Sequence, residues 1–412
     1  VSLLLLFGSG EAGTPAPVVA AQPLVEPALE AHWTFVAIDR FGNELGELRR
    51  AHDRQVTPRP INGLGTAQLR LRLDDPQSLL WQDGRNLLKV YELDGNDVQQ
   101  TRFVGPMTSY EEVDDDQNES VVLGFTSGGW RLADRLIGKS ATGFTGGSTP
   151  TSLVDRAELM ARVLDAVNAE NWTGIARGTI GLSGGTTYVS DWLYKKALDA
   201  WTELAVALDA PDWEIEPLEP LDYGGAIGRL NTAAFFGANE PNAVWEYGIG
   251  KHNVKTWRRT IDPKLVANSV YALTPGYPDN DSTPPANAQD ATSIAARGLH
   301  EDVIAADLSV PQLRTALAQQ HVAVRKAPRQ VITFDPRLEI AKDLRYRVDY
   351  KEGDLVWFHA LREFPIYDAT GTFIEDTQQI DVVDAALRIY AVTFNIDDAG
   401  NATPSFTLLE EG

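Results

Sequence analysis

The sequence predicts a β-rich α+β chain: two antiparallel β-barrel domains, an α/β insertion after the first, and a short helical connection before the second. Three observations carry this. Short segments of alternating apolar and polar residues, separated by turn signals, fill residues 32–125 and return over 328–412. Between them the hydrophobic period becomes helical. At 412 residues the chain also exceeds the size at which one core keeps growing.

Composition narrows the class. A hydrophobic content of 43% and ten tryptophans supply well-filled cores. Lysine and arginine number 36 against 58 aspartates and glutamates, a net charge of −22. Such a surface repels phosphate; it suits DNA passing by, and does not suit DNA being held. The absence of cysteine removes disulfides, thiolate metal sites and cysteine nucleophiles together.

Residues 1–30 read as an apolar segment plus a linker. The run Val1-Ser-Leu-Leu-Leu-Leu-Phe7 has no basic residue before it and breaks at Gly8. It is too short for a membrane helix and lacks the charged start of a signal peptide, so no membrane insertion is expected. Leu3, Leu4, Leu5, Leu6 and Phe7 are a candidate docking strand, tethered by a stretch containing Pro15, Pro17, Pro23 and Pro27.

The first barrel is expected over 31–135, completed by a return at 210–260. Its clearest strand is Thr66-Ala-Gln-Leu-Arg-Leu-Arg-Leu73, and an acidic hairpin tip lies between Val113 and Ser120. The insertion occupies 136–209. Ser152, three residues before Asp155, reads as a helix start followed by the stripe Leu159, Val163 and Val167; a second helix is expected over 189–208. Residues 261–327 connect: a strand at 268–273, a proline-rich loop, and a short helix near 309–321. The second barrel takes 328–412, with strands expected at 345–350, 354–360, 386–394 and 405–409 and a hairpin turn at Asp397-Asp398-Ala399-Gly400-Asn401.

Several short motifs have the residue types of catalytic or ligand sites. Gly181-Leu-Ser183-Gly-Gly185 has nucleophile-elbow spacing, read as lying between a strand and a helix, but no eight-stranded α/β pattern surrounds it. Gly138-Lys139-Ser140 lacks the earlier glycine of a phosphate loop, that position being Ala133. The six histidines show no ligand spacing, and Asp114, Asp115 and Asp116 read as a solvated turn. No catalytic residue, metal or cofactor is expected.

Residues 293–360 carry a family resemblance. Ser293-Ile-Ala-Ala-Arg-Gly298-Leu-His-Glu301 is followed by a helix, Pro328, the strand pattern Gln330-Val-Ile-Thr-Phe334, then Gly353-Asp354-Leu355-Val356 and a long β tail. This order resembles the tail-hub (baseplate-hub) proteins of tailed bacteriophages. It is most similar to those from the long, non-contractile tails of siphophages infecting actinobacteria. The resemblance implies a non-enzymatic virion protein at the tail tip, assembled in the host cytoplasm. It implies a homotrimer whose two barrels per chain adapt a sixfold tail tube to threefold tip proteins and line the DNA exit channel. Its partners would be distal-tail and tail-tube proteins on one side and tail-tip or receptor-binding proteins on the other. Gly353, Asp354 and Leu355 would form the turn into the second barrel, and Gly298 and Glu301 would position the connecting helix. Two alternatives stand beside this: a tail-tip enzyme or carbohydrate-binding protein acting on the host envelope, through Ser183 or a carboxylate pair, and a sixfold distal-tail ring protein.

Overall fold

In the computed structural model of the chain, the structure describes residues 32–410 apart from 83, 94–97, 116–117, 141, 150, 188, 190–191, 206–209, 222–223, 249–251, 263, 265, 275–284, 306–310, 338–343 and 368–372. The docking segment Leu3–Phe7 lies outside the described residues.

The first lobe contains β1 (His32–Ile38), β2 (Glu44–Glu47), β3 (His52–Thr57), β4 (Thr66–Arg72), β5 (Leu87–Leu93), β6 (Gln99–Asp115) and β7 (Asn118–Thr126). Alternation decides which side chains enter it: Ala67, Leu69 and Leu71 of β4 are buried while Thr66, Gln68 and Arg72 are exposed. In β1 both faces are covered, because Trp33, Phe35 and Ala37 enter the main core while Val36 and Ile38 pack in a small cluster with Leu87, Val104 and Ile227.

The insertion contains β8 (Leu136–Ile137), β9 (Val154–Asp155), α1 (Arg156–Glu170), β10 (Ile175–Ile180), β11 (Thr186–Thr187), β12 (Lys195–Lys196), α2 (Ala197–Ala205), β13 (Asp212–Pro217) and β14 (Gly228–Ala233). Here β10, β14 and β13 form a three-stranded sheet, and Leu159, Met160, Val163, Trp201 and Trp213 share a core of their own. Three expectations are corrected. The cap of α1 is Asp155, whose carboxylate accepts the Ala157 N–H at 2.8 Å, and not Ser152. The second helix begins at Ala197, after Tyr194 at φ 48° and the bridge strand Lys195–Lys196. And β13, expected to return to the first barrel, pairs with β14 inside the insertion.

Next come β15 (Asn239–Tyr247) and β16 (Val254–Ile261), then a smaller unit of β17 (Ser269–Leu273), β18 (Ala286–Gln289), α3 (Ala291–Arg297), β19 (Glu301–Ala305) and α4 (Pro311–Arg325). The chain ends with β20 (Gln330–Pro336), β21 (Leu355–Tyr367), β22 (Phe373–Ile396) and β23 (Ala402–Leu409). The strands β15 and β16 also depart from expectation, since they pair with β21 and β20 and so belong to the second lobe. Residues 345–350 alternate like a strand yet form a tight turn. Arg347 takes φ 64°, its N–H donates to the Tyr350 carbonyl at 2.7 Å, and the Asp349 carboxylate accepts the Arg345 N–H.

The protein is β-rich, with half of its described residues in strands. Both lobes belong to one thirteen-stranded sheet. The 24-residue β22 links them, pairing with β21 and β23 along most of its length and with β3 at Phe394–Ile396. Each lobe curls. In the first, the Trp33 N–H donates to Gly400 at the β22–β23 turn, 3.0 Å away. In the second, the Asn253 side chain ties the approach to β16 onto β15 at Val244 and Glu246. A chain of rings joins the two: Trp33 on Phe394 (4.6 Å), Phe394 on Tyr346 (4.9 Å), Tyr350 on Phe406 (5.1 Å), and Phe406 on Phe334 and Trp245.

Candidate functional site: the charged junction between lobes

The Gly353-Asp354-Leu355 turn is where β21 meets the segment leading into β15. Gly353 (φ 94°) and Gly237 (φ 99°) lie back to back; a Cβ on Gly237 would sit 2.2 Å from the Gly353 carbonyl. Only glycine permits both the left-handed backbone and that approach. Asp354 is buried and closes the crossing: one oxygen accepts the Ala238 N–H and the other the Lys351 N–H, both at 2.8 Å. Leu355 donates its N–H to the Ala238 carbonyl at 2.9 Å.

Arg388, on β22, caps this crossing. Its guanidinium donates to the carbonyls of Gly353 (3.2 Å) and Phe236 (3.0 Å), pairs with both oxygens of the buried Asp212 carboxylate at the start of β13, and lies 4.2 Å from the Phe235 ring centre. Asp212 also accepts the Phe236 N–H and the Asn62 side chain. One arginine therefore ties the second lobe to the insertion.

A second cluster joins all three parts. Arg59, from the first lobe, stands 3.7 Å from Glu214 and 3.6 Å from Glu216 of β13. Arg347 reaches Glu214 at 3.9 Å and Glu352 at 3.4 Å, and Glu352 accepts the Tyr346 hydroxyl at 2.7 Å. Burial raises the Glu352 carboxyl above its ordinary value, although Arg347 and Tyr346 pull it down. Burial would lower Arg347, but Tyr346, Glu352 and Glu214 outweigh it and hold the guanidinium charged. Burial also pushes Glu216 up; the Asn231 amide, Arg59 and Arg229 overcome it and keep that carboxylate low. Chemically the network is a set of matched buried ion pairs, which fixes geometry more than it adds stability.

The other expected residues lie elsewhere. Gly298 (φ 85°) caps α3, its N–H bonded to the Ile294 carbonyl. Glu301 is exposed and opens β19 opposite Ser269. That region is organised by Asn268, which the sequence reading missed. Fully buried, it donates to the Gly298 carbonyl at 2.7 Å and to Ser293 Oγ, and accepts the His300 N–H. The available signal was an amide abutting the apolar run Val270-Tyr-Ala-Leu273. Arg388, Asp212 and Arg59 were missed too. Only Arg388 left a trace, as a charge among buried neighbours on a strand.

Ser183 sits in a turn between β10 and β11, so the strand-to-helix setting of a nucleophile elbow is not there. Its hydroxyl lies 3.3 Å from Asp155, the cap of α1, and Gly184 donates to the same carboxylate. No histidine is among its hydrogen-bond partners in the described residues. Among the described residues no group of three or more His, Asp or Glu side chains is placed to hold a metal ion, and no helix is long and apolar enough to cross a membrane.

No protein-family model and no curated protein matches the chain. Solved structures do. The tail protein from Neisseria meningitidis MC58 aligns with a TM-score of 0.52 at 14% identity, covering 92% of this chain and 97% of that one. The 43 kDa tail protein of prophage MuSo2 from Shewanella oneidensis gives 0.52 at 10% identity, over 92% and 98%. Prophage tail protein gp18 from Listeria monocytogenes EGD-e gives 0.50 at 12%, over 92% and 94%. The chain thus has the fold of phage tail proteins along nearly its whole length.

Proposed function

We propose that this chain is a structural protein of a phage tail: a tail hub acting as a homotrimer at the tail tip. The observation that carries the reading is the end-to-end fold likeness, which leaves almost no part of the tail proteins or of this chain unaccounted for. In this reading the two curled lobes act as two similar barrels. Three chains then offer six related units to a sixfold tail tube and three to the tip proteins beyond. The charged junction has a mechanical role: it fixes the angle between the lobes, on which closure of the ring depends. With a net charge of −22 per chain, a wall formed from these surfaces repels DNA and lets it pass. The resemblance carried by residues 293–360 points to a long, non-contractile tail of the type found on phages of actinobacteria. The chain has no catalytic role here; its neighbours are the tube and distal-tail proteins above and tip or receptor-binding proteins below.

The test is the mass and rotational symmetry of the purified assembly, by light scattering and averaged single-particle images. A threefold ring with two lobes per subunit is expected. A sixfold ring would move the assignment to a distal-tail component.

A further inference from the structure

Among the described residues, Trp130, Trp172 and Trp357 stand out at the surface, exposed by 40%, 48% and 43%. Of these three, Trp357 is the one whose indole is held. Its Nε1–H donates to Asp384 Oδ1 at 2.8 Å, and the His359 imidazole Nδ1 lies 3.3 Å from the same oxygen. No aromatic ring of the described residues packs on it. An untethered surface indole turns among its rotamers, whereas this one presents a fixed, uncovered face to solvent.

Strand alternation builds the setting. Trp245, Phe358 and Leu387 enter the core from β15, β21 and β22, so Val244, Glu246, Trp357, His359, Asp384 and Ala386 share the opposite face. Register places Val244 and Ala386 on either side of Trp357, and Glu246 and Asp384 on either side of His359. Ala386 is small, so the strand beside the indole does not cover it. Three strands give a patch about 10 Å across. Its floor is apolar, and along one side run two exposed carboxylates, Glu246 and Asp384, with the imidazole between them. The next outward residue on β22, Arg388, is already engaged with Asp212.

A fixed indole face matches the C–H face of a pyranose ring, which is apolar across its flat side and hydroxylated at its edge. Asp384 and Glu246 accept hydrogen bonds from such hydroxyls, and the locked ring spends little entropy on binding. The same carboxylates repel a uronic or sialic acid, which selects for uncharged sugars. A bare cation is held best by a cage of several rings, and one ring stands here. We propose that the outward face of β21 and β22 around Trp357, His359 and Asp384, with Glu246 beside it, is a binding platform for a neutral saccharide. Trp357 is its stacking floor and Asp384 is the residue that positions the indole. This goes beyond the tail-hub reading and is independent of the symmetry of the ring.

Isothermal calorimetry and saturation-transfer NMR on the full chain test it, with cellotriose, maltotriose and tri-N-acetylchitotriose as neutral probes and trigalacturonic acid as the acidic control. At least one neutral probe is expected to bind, and the acidic control is expected not to. Trp357→Ala should weaken that binding by about tenfold or more. Asp384→Ala, which frees the indole, should weaken it too, while Asp384→Asn keeps an acceptor for Nε1–H and should hold binding within about threefold. Trp357→Tyr keeps a ring without the tie to Asp384 and should fall between native and Trp357→Ala; unchanged unfolding midpoints will show that each variant is folded. No binding by any neutral probe, or binding that Trp357→Ala leaves unchanged, overturns the proposal, as does preference for the acidic control. Self-association lost in Trp357→Ala, with no sugar bound by the native chain, would assign this face to a protein contact instead. Because the symmetry of the assembly is read separately, failure here leaves the hub reading in place.

Discussion

Asp354 accepts two backbone amides from different segments, so its carboxylate acts as a backbone staple more than as a charge. Asp354→Ala leaves the Ala238 and Lys351 N–H groups without their acceptor in a buried turn. At about 1–3 kcal/mol for each orphaned donor, a loss of several kcal/mol is expected in urea unfolding. Gly237→Ala at the same crossing puts a methyl carbon against the Gly353 carbonyl and a side chain on a left-handed backbone; it should destabilise by more than about 1 kcal/mol from backbone conformation alone. Arg388→Met strands the buried Asp212 carboxylate and should cost about 3–5 kcal/mol.

Glu352 sets a pH dependence. Its carboxyl is raised in the folded chain, first by burial, relative to the unfolded value of 4.5. Above pH 4.5 the folded state therefore binds more protons than the unfolded one, and this residue makes stability fall as pH rises through that window. Glu216, held low, acts in the opposite sense and withdraws stability as pH drops below 4.5. Glu352→Gln should flatten the decline on the neutral side and leave the acid limb unchanged, as read from unfolding free energy against pH. An unchanged neutral-side slope would show that Glu352 does not carry it.

At the scale of elements, β15 shows how a strand acquires its place. It is buried chiefly through Ala243 and Trp245, and Trp245 packs among Phe334, Tyr350 and Phe406. Trp245→Ala should cost about 3–5 kcal/mol. Because β15 also closes the second lobe on β21, near-ultraviolet circular dichroism should lose intensity together with stability. The same scale explains what was legible in the sequence. Strands such as Thr66–Arg72 and Ala402–Leu409 were readable because one face is wet and one is dry, which is a local property. Residues 345–350 were misread because Tyr346 and Tyr350 satisfy strand alternation and a four-residue turn equally, and Arg347's backbone settles between them. The second helix was placed too early because apolar spacing continues through Leu193, which is in fact exposed.

At the scale of the whole molecule, the shared β22 and the continuous line of rings couple the two lobes. They should unfold in one transition: amides of β4 and β7 are expected to lose hydrogen-exchange protection at the same denaturant concentration as those of β20 and β23. The insertion has its own core and is tied to them through Arg388–Asp212 and the Arg59 cluster, so Trp201→Ala should release it at lower denaturant while the lobes persist. Two separated transitions for the lobes would contradict a single shared sheet.

By itself the sequence determined the β-rich class, the helical material between two β regions, the acidic surface, the exclusion of cysteine chemistry, and the Gly353-Asp354 turn. Each follows from composition, period or a local backbone demand. Tertiary structure alone decided that β13 pairs within the insertion, that β15 and β16 join the second lobe, and that one strand serves both lobes. It also assembled the junction, where Arg59, Asp212, Glu214, Arg347, Glu352 and Arg388 come from distant parts of the chain. Partner choice between strands depends on long-range burial and register, and a buried charge becomes visible only when its counter-ion arrives from elsewhere in the chain.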